Sequence, residues 1–423
     1  MRLIFLNRYF HPDHSATSQM LSDLAFFLAG AGHQVCVITS RQRYDDPAVV
    51  LPAYERINGV DVHRVRTSHF GRASLPGRAL DYASFYCAAA WRLWRVARNH
   101  DVIVAKTDPP LISVVVGWVA HWRGARLVNW VQDVFPEVAE ALGMRVLSGP
   151  QAGVLRRLRN RAFRTAAANV VLGESMAAVL ARAGVPDTHI HVLPNWADQA
   201  AIYPVAAADN PLRRDWGLEG RCIVCYSGNM GRAHEFDTIL GAAQLLADQS
   251  ATIGFLFIGG GAQRGRVEQQ VRSRALGNVE FRPYQDAADL RFSLGAGDIH
   301  LVSQRPEVEG YVFPSKLYGI LAAGRPLVFI GDPEGEISRL VAQEGVGVSV
   351  RQGDAAGLAA QLLHLAGADT LRDTMGQRAR ALLCARYDKS IALKAWEALL
   401  VKVARPALPG SGLVPAPQSP PAP

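Results

Sequence analysis

The chain has 423 residues, 49% of them apolar, so it is too long for one hydrophobic core and can bury the cores of two domains. Its formal net charge is +8 at pH 7, and residues 1–200 carry +7 of this, with 22 Lys and Arg against 15 Asp and Glu. Five cysteines scattered through the chain exclude a disulfide framework and indicate a reducing compartment.

The basic N-terminal half indicates an anionic partner, such as a lipid surface, a phosphorylated substrate or nucleic acid. The longest apolar stretch, residues 111–122, is shorter than the roughly 20 residues of a membrane-spanning helix, so membrane contact is expected only from the surface. The first apolar run leads directly into Arg8 and His11, which is not the pattern of a signal peptide. We therefore expect a cytoplasmic protein.

The N-terminal half alternates between apolar runs and amphipathic stretches. An apolar run at residues 1–7, an amphipathic pattern over 20–28 and a second apolar run, VCVIT, predict the strand-helix-strand unit of a parallel doubly wound sheet. Helices at 79–99 and 111–122 and strands at VIVAK, RLVNWVQD, NVVLG and IHVLP continue it. The first strand-to-helix turn, NRYFHPDHSATSQ, contains no glycine, which argues against an NAD oxidoreductase.

Residues 151–164 predict a basic helix with one apolar side, because their arginines are interleaved with leucines and a phenylalanine. Such a helix can dock on anionic lipid headgroups, although a solvated cationic face is the commoner meaning of the pattern. The aromatic and arginine-rich helix predicted at 79–99 favours the membrane interpretation. The residues expected to contact the membrane are Arg156, Arg157 and Arg161.

The C-terminal half repeats the alternation after a proline-containing linker at residues 199–219. Strands are predicted at CIVCYS, TIGFLFIG, NVEFRPY and DIHLVS, with helices between them. The domains are therefore expected at 1–200 and 201–390, with a helix at 391–403 that packs back on the first domain and a disordered Pro-rich tail at 405–423. Two successive sheets predict a cleft between their carboxyl ends, where ligands bind in such folds.

The segment EGYVFPSKLYGILAAGRP, residues 309–326, predicts a short helix with Ser315 as its N-cap and a stop at Gly324 and Pro326. Lys316 stands at the first helical position. Together with the unpaired amides of the first turn it favours a phosphate group, and a diphosphate is the natural ligand. The alternative is a surface helix with a solvated lysine.

Seven segments occur in an order and spacing that resemble those of family-4 glycosyltransferases, the retaining GT-B enzymes. They are PDHSATSQ, GHQVCVIT, VQDVFPEVAEALG, VLPNWAD, YSGNMG, FIGGG and VFPSKLYGILAAGRP. The similarity covers about residues 1–400 and is closest to bacterial transferases of capsule, colanic-acid and O-antigen assembly that add fucosyl, N-acetylfucosaminyl or related sugars to lipid-linked intermediates. It implies two facing Rossmann-like α/β domains, each a doubly wound parallel sheet, around a central cleft.

The resemblance also implies a nucleotide-sugar site in the second domain. The residues implied to bind the donor are Gly228, Asn229, Gly231, Gly259, Gly260, Tyr284, Glu309, Ser315 and Leu317. Lys316 and Arg232 would neutralise the leaving diphosphate, and for Tyr284 ordinary packing at a strand end is the alternative. The arginine and lysine pair of many relatives is not in its usual place, since Glu235 falls near the expected lysine.

Two positions depart from the paired glutamates that many family members place before and within this helix. Tyr311 and Gly319 stand where acids would fall, and Glu309 lies two residues before the first of them. Glu309 can therefore substitute for the first glutamate if the loop is shaped differently. The same version of the segment resembles that of the colanic-acid subgroup, so the substitutions do not imply a loss of activity.

Asp133 ends a predicted strand at the cleft and matches an acidic position of the family. A carboxylate there can orient or deprotonate an acceptor hydroxyl, with helix capping as the alternative. The sequence contains neither a D-x-D triplet nor a His/Cys cluster with metal spacing. We therefore predict no cofactor and no metal ion, with Lys, Arg and helix amides stabilising the diphosphate.

These patterns and the resemblance together predict a retaining hexosyltransferase-type enzyme, peripheral on the cytoplasmic face of the inner membrane. Its donor would be a nucleotide-diphosphate sugar, most simply a UDP-sugar, and its acceptor a polyprenyl-diphosphate-linked saccharide of surface polysaccharide assembly; no nucleic acid is expected. One alternative is a catalytically silent GT-B-fold subunit, because the paired glutamates are missing. The other is a nucleotide-sugar epimerase on the same fold.

Overall fold

The computed structural model describes residues 1–13, 15–43, 49–70, 75–144, 149–249 and 252–405. It contains one sheet of eight strands and one of six, and almost all neighbouring strands are parallel. The α/β fold with two doubly wound parallel sheets that the sequence predicts is therefore confirmed. The expected C-terminal tail falls almost entirely on residues 406–423, outside the described part of the chain.

The first sheet is built from eight short, mostly buried strands. In chain order they are β1 (Arg2–Leu6), β2 (Gln34–Ser40), β3 (Tyr54–Ile57), β4 (Val60–Val65), β5 (Val102–Lys106), β6 (Arg126–Trp130), β7 (Ala168–Val171) and β8 (Ile190–Val192). Their spatial order is β3-β4-β2-β1-β5-β6-β7-β8, and only the pair β3 and β4 is antiparallel. The order reverses direction between β1 and β5, the kind of position at which α/β sheets bind ligands.

Helices cover both faces of the first sheet. They are α1 (Ala16–Gly30), α2 (Leu75–Val96), α3 (Ile112–Arg123), α4 (Glu137–Ala141), α5 (Pro150–Thr165) and α6 (Glu174–Arg182). Side chains of β1 alternate between two cores, with Leu3 and Phe5 packing in the cluster of α1 and Ile4 and Leu6 in that of α2 and α3. This alternation follows from the two-residue period of a strand, which points successive side chains to opposite faces.

The second sheet has six parallel strands. In chain order they are β9 (Cys222–Ser227), β10 (Ile253–Ile258), β11 (Val279–Arg282), β12 (Ile299–Ser303), β13 (Leu327–Gly331) and β14 (Gly347–Arg351). The spatial order is β11-β10-β9-β12-β13-β14, the order of a Rossmann sheet, and it reverses between β9 and β12. The predicted strand CIVCY is β9, where burial raises the pKa of the Cys222 thiol to about 11 and keeps it protonated.

In the described part of the chain, eight further α-helices and a turn of another helical type precede, surround and follow the strands of the second sheet. They are α7 (Pro211–Asp215), α8 (Asp237–Gln249), α9 (Arg264–Ser273), α10 (Leu290–Gly295), α11 (Lys316–Ala322), α12 (Glu336–Glu344), α13 (Ala355–Ala366) and α14 (Asp369–Leu382), and the turn is a π-helical one at Leu383–Tyr387. The short α11 coincides with the helix predicted from the segment 309–326. Ser315 occupies the predicted N-cap position, but its side chain makes no capping hydrogen bond.

The last described helix, α15 (Lys389–Ala404), packs against the first sheet, not against the second. Asp388 caps its N-terminus by accepting a hydrogen bond from the Ser390 amide at 3.0 Å. Trp396 is fully buried, with its ring centroid 4.5 Å from that of Trp130 in β6. Among the described residues no helix combines the length and the apolar character needed to cross a membrane.

The carboxyl ends of the two sheets face each other. Asp133, just after β6, forms an antiparallel bridge with Val312, and the Val134 amide donates to the carbonyl oxygen of Tyr311 at 2.9 Å. Val312 lies between β12 and α11, so the bridge joins the carboxyl edge of one sheet to that of the other. The cleft predicted between the sheets is therefore closed at this point by main-chain contact.

Candidate functional site

The second domain presents Lys316 at the first position of α11. Its Nζ donates to the Tyr226 hydroxyl and lies 3.3 Å from Nε2 of His234. The same ammonium group lies 3.9 Å from the centroid of the Tyr226 ring, a cation–π distance. The Tyr226 hydroxyl in turn donates to the backbone oxygen of Asn229 at 3.0 Å. The strand β9 and the turn that follows it therefore hold the amine at the position where the strand order of the second sheet reverses.

The tautomer of His234 follows from its contacts. Its Nδ1 touches the backbone oxygen of Ser303, and because a carbonyl can only accept, Nδ1 carries the proton. Burial, followed by the charge of Lys316, lowers the pKa of His234 to about 3, so the ring is neutral and its Nε2 accepts from Lys316. An ammonium group has three donors. With two directed at Tyr226 and His234, the third is left to meet an anion in the cleft.

The lysine itself carries an electrostatic cost in this position. Burial holds the pKa of Lys316 well below the ordinary lysine value of 10.5, and in the described structure no carboxylate offsets this effect. A buried ammonium is stabilised when an anion enters its site, because the opposite charge favours the protonated form. The site is therefore prepared for a negatively charged ligand.

Two glycine turns approach each other beside this lysine. Gly228 has a φ of 128° and Gly259 a φ of 124°, a backbone conformation that favours glycine. A Cβ on Gly259 would lie only 2.3 Å from the carbonyl oxygen of Gly228, and one on Gly228 would lie 3.5 Å from Cε of Lys316. The turns after β9 and β10 thus lie close to the amine, and their backbone is open to a ligand that approaches it.

The remaining residues implied for the donor lie around these turns. The Asn229 side chain lies against Gly231 in the turn after β9. Tyr284, at the carboxyl end of β11, is 61% exposed and its ring lies over Gly260, with the hydroxyl 3.5 Å from the carbonyl oxygen of that residue. An exposed ring at the edge of a cleft is available to stack on a flat ligand such as a base.

Arg232 is exposed in the turn that follows β9. It lines a cavity of about 270 Å³ that is shared by both domains and is rich in arginine. The other lining residues are Leu142, Ala262, Gln263, Arg266 and Arg305. Arg232 therefore belongs to a cationic stretch of the cleft wall, which is suited to anionic groups.

Glu309 and Glu336 join the two domains through helix N-termini. The Glu336 carboxylate accepts from the amides of Glu174 and Ser175, at 2.9 and 2.8 Å, which are the first residues of α6 in the first domain. Glu309 accepts from the Glu336 amide at 3.0 Å and from the Ser175 hydroxyl at 3.2 Å. A carboxylate at a helix N-terminus is stabilised by the unpaired amides and by the helix dipole. Glu309 therefore contacts the first domain through its hydrogen bond with Ser175.

The other predicted residues of the segment occupy different surroundings. Ser315 is exposed, whereas Leu317 is buried and its amide donates to the carbonyl oxygen of Pro314 at 3.3 Å. Tyr311 packs against the core of the first domain, and Gly319 lies in α11, where an added Cβ would come within 3.3 Å of Leu294. At the first position that lacks an acid, Tyr311 therefore makes an interdomain contact. At the second, Gly319 allows α11 to pack closely against Leu294.

The first domain brings Asp133 to the cleft at the carboxyl end of β6. Its side chain is solvent-exposed, and protein surrounds it on both sides of the cleft. Desolvation and, less, the carboxylate of Asp108 raise the pKa of Asp133 to about 6. A carboxylate with this pKa can hold or accept a proton near neutral pH, which suits general-base or orienting chemistry.

Lys106 lies at the carboxyl end of β5, next to the reversal point of the first sheet. It is fully buried, its Nζ donates to the Thr17 backbone oxygen at 2.8 Å, and it lies 3.7 Å from the centroid of the Trp130 ring. Burial lowers its pKa well below 10.5, and Asp108 opposes this shift. Because Lys106 is buried, it does not line the cleft. Its contacts with Thr17 and Trp130 connect segments beneath the cleft surface.

Sequence reasoning did not identify His234, Tyr226 or Lys106. A signal existed for the first two, because both flank the turn GNMG whose glycines were singled out. Nothing in the sequence indicates that His234 meets Lys316, since the two are 82 residues apart. Glu235, the residue near the expected lysine, is instead buried and accepts from the Thr238 amide at 2.9 Å.

The arginines of α5 divide into two groups. Arg156 pairs with Glu137 and Glu140 at 3.1 and 2.6 Å, which reduces the charge that it can offer to a membrane. Arg157 and Arg161 are exposed. Among the residues that the structure describes, no group of three or more His, Cys, Asp or Glu side chains is placed to hold a metal ion.

Comparison with known families gives two adjoining matches that together span most of the chain. Residues 16–196 match the model of the glycosyl transferase 4-like domain, and residues 221–367 match that of the glycosyl transferases group 1. The chain is 26% identical over 354 residues to the probable glycosyltransferase WbjE of Pseudomonas aeruginosa, covering 84% of this chain and 86% of that protein. It is 28% identical over 356 residues to the putative colanic acid biosynthesis glycosyl transferase WcaI of Escherichia coli K12, covering 80% and 86%.

Solved structures share the fold at lower identity. The sucrose-phosphate synthase of Thermosynechococcus elongatus superposes with a TM-score of 0.73 at 18% identity, covering 95% of this chain and 98% of that one. Anabaena Alr3699/HepE in complex with UDP and glucose superposes with a TM-score of 0.71 at 16% identity, covering 95% and 100%. These likenesses establish that the two α/β domains have the same fold as these two proteins.

Proposed function

Because the chain belongs to the GT-B glycosyltransferases, with a 4-like domain followed by a group 1 domain, we propose that it transfers a sugar from a nucleotide-diphosphate sugar to a lipid-linked saccharide acceptor. The relatives WbjE and WcaI support a place in the biosynthesis of a bacterial surface polysaccharide. The observation that carries the donor assignment is the Lys316 amine, which is fixed by two neutral partners and has one donor left for an anion.

The donor is a UDP-sugar in this proposal. Lys316 meets the diphosphate, the turns at Gly228 and Gly259 lie along it, and Tyr284 stacks on the base. The related fold of Alr3699/HepE was solved with UDP and glucose, which supports uridine as the nucleotide. Arg232 adds positive charge in the turn after β9.

The transfer retains the anomeric configuration in this proposal, as the resemblance implies. The acceptor hydroxyl oxygen forms the new bond to the anomeric carbon. The bond from that carbon to the diphosphate oxygen breaks, and its electron pair stays on the oxygen. The departing phosphate then takes the proton of the hydroxyl. Asp133 orients the acceptor, and Lys316 stabilises the charge that develops on the leaving oxygen. No metal ion is needed, because cationic side chains supply this stabilisation.

The acceptor is polyprenyl-diphosphate-linked and is reached from the cytoplasmic face of the inner membrane. The basic first domain supports this orientation, and the exposed Arg157 and Arg161 are available to lipid phosphates. Arg156 contributes less, because two glutamates already pair with it.

A transfer assay with a panel of UDP- and GDP-sugars and lipid-linked acceptors in detergent tests the proposal, with UDP binding measured by calorimetry on the same preparation. Transfer to any acceptor supports it. Neither transfer nor nucleotide binding would favour a catalytically silent subunit, an alternative that the engagement of Glu309 in the interdomain contact keeps open. Conversion of the donor sugar without any acceptor would assign an epimerase.

A further inference from the structure

Helices α2, α3 and α5 lie side by side on one face of the first sheet. Their outward sides carry large apolar side chains that no described part of the chain covers. We define the tryptophan face by these residues: Leu80, Trp91, Trp94, Trp118, Trp122, Val154 and Leu158. Trp91, Trp118 and Trp122 are 64%, 61% and 64% exposed, which is unusual for the largest apolar side chain.

Three of the four tryptophans form one connected cluster, and Trp91 precedes Trp94 by one helical turn on α2. The rings of Trp94 on α2 and Trp118 on α3 are stacked with centroids 6.0 Å apart, and Trp118 meets Trp122 edge to face at 6.5 Å. The cluster therefore bridges two helices on the solvent side, where it contributes little to the core. Contiguous exposed apolar surface of this kind marks an interaction site.

The patch also extends along the sheet. Leu80, Ala83, Cys87, Trp91 and Trp94 are exposed at spacings of three and four residues, which is one side of a helix. Because α2 leads from the carboxyl end of β4 to the amino end of β5, this stripe runs from the cleft edge of the sheet to the opposite edge. A flat partner could thus lie along the whole domain with the cleft at its border.

The charge of the three helices has one sign. Their sequences contain nine arginines and a single acid, Asp81, which is buried. The Arg95 guanidinium lies 5.7 Å from the centroid of the Trp91 ring, and that of Arg123 lies 5.6 Å from the centroid of Trp94. The arginines therefore stand among the tryptophans and are not segregated from them.

This combination fits the headgroup layer of an anionic bilayer. The amphipathic ring of tryptophan sits at the headgroup level of a bilayer, and arginine pairs with lipid phosphates. An acidic protein would also bind the arginines, but it would not require four exposed indoles close to one another. The proposed lipid-linked acceptor gives the enzyme a reason to lie on a membrane.

We propose that the tryptophan face inserts its indole rings between the headgroups of an anionic lipid bilayer, so that the first domain lies flat on the membrane. This deepens the proposed function, on which it rests, by naming the surface that meets the lipid. It also moves the centre of membrane contact from the arginines of α5 to α2 and α3, with Arg157 and Arg161 as flanking charges.

Vesicle co-sedimentation tests the face directly. Vesicles of phosphatidylglycerol and phosphatidylethanolamine are mixed with wild type and with a variant combining Trp91→Ser, Trp118→Ser and Trp122→Ser. Each indole that is buried in the bilayer contributes about tenfold to the partition coefficient of the protein. Vesicle binding of the triple variant should therefore fall by at least about 100-fold. The matched control replaces Leu245 and Leu363, exposed apolar residues of the second domain, by serine and should bind as wild type does.

A label on Cys87 reports insertion. Cys87 is exposed in the middle of the stripe, whereas the other four cysteines are buried or partly buried. An environment-sensitive fluorophore on Cys87 should brighten with anionic vesicles and be quenched by brominated lipids. The same label on a Cys87→Ser, Leu245→Cys variant should do neither.

A separate experiment tests the contribution of the arginine charges to vesicle binding. Arg157→Gln with Arg161→Gln should weaken binding to anionic vesicles by about 30-fold at low salt and leave the weak binding to phosphatidylcholine vesicles unchanged. These vesicle measurements contain no sugar substrate, so they are independent of transferase activity. Unaltered vesicle binding by the triple tryptophan variant, or no vesicle binding by wild type, overturns the proposal even if UDP binding and transfer are normal.

Discussion

Replacing Lys316 by methionine removes the ammonium group while keeping most of the side-chain volume. The hydrogen bond that a cation makes to a phosphate contributes about 1.5–3 kcal/mol. UDP should therefore bind about 10- to 150-fold more weakly to the variant. The matched control is Lys394→Met, an exposed lysine on α15 outside the cleft, which should leave the affinity unchanged.

The same lysine should couple UDP binding to proton uptake. Burial holds the pKa of free Lys316 well below 10.5, and a bound diphosphate raises it by adding a nearby negative charge. Binding therefore takes up a proton at any pH between the free and the bound pKa. UDP affinity should fall as pH rises through this window, and the dependence should vanish below the free pKa, where Lys316 is already protonated.

Titration calorimetry in buffers of different ionisation enthalpy measures this uptake, at pH values above about 7, where the UDP phosphate is fully ionised. Wild type should show a buffer-dependent enthalpy, and Lys316→Met should show none. The methionine variant should also unfold at a higher temperature without ligand, because it no longer buries an ammonium group. An unchanged affinity in the variant, or equal proton uptake in both proteins, would refute the role given to Lys316.

Three further results are expected. Tyr226→Phe removes one partner of the Lys316 amine and should weaken UDP binding by about fivefold, as measured by calorimetry, because a neutral hydrogen bond contributes about 1 kcal/mol. Asp133→Asn should lower transfer by about 10- to 150-fold with UDP affinity unchanged, because the hydrogen bond by which a carboxylate orients the acceptor hydroxyl contributes about 1.5–3 kcal/mol. The kcat/KM of wild type should fall below about pH 6, because Asp133, whose pKa is raised to about 6, is then protonated. A normal rate in the variant would remove this carboxylate from the reaction. Glu336→Ala should lower the free energy of unfolding by about 1–2 kcal/mol in chemical denaturation, because the amides at the start of α6 lose their acceptor; Glu334→Ala, whose exposed residue lies two positions earlier, serves as its control.

The regular elements were predictable from the sequence because their signals are local. A short stretch of sequence is enough to recognise the apolar run of β9 and the helical spacing of apolar residues in α2, α3 and α5. The structure confirms these elements within a few residues of their predicted bounds. The phosphate-binding role expected of Lys316 also came from the local features of one helix. The side chain of Ser315 makes no capping hydrogen bond because the backbone at this residue is already helical. Residue propensities do not predict this backbone conformation.

The partners of these residues depended on the tertiary structure. His234 reaches Lys316, and Glu309 reaches Ser175, across 82 and 134 residues of sequence, so only the packing of the sheets brings them together. The exposure of the indoles on α2 and α3 is likewise decided by which helix side the core occupies.

The sequence by itself therefore determined the two α/β domains, the family resemblance and the charge of the first half. Each of these follows from residue types and spacings that act over a few turns of chain. The structure decided which side chains contact Lys316, which carboxylates join the domains and which aromatic side chains remain in solvent. These features depend on contacts between segments that are distant in the sequence. Such contacts form only when both sheets have folded and face each other across the cleft.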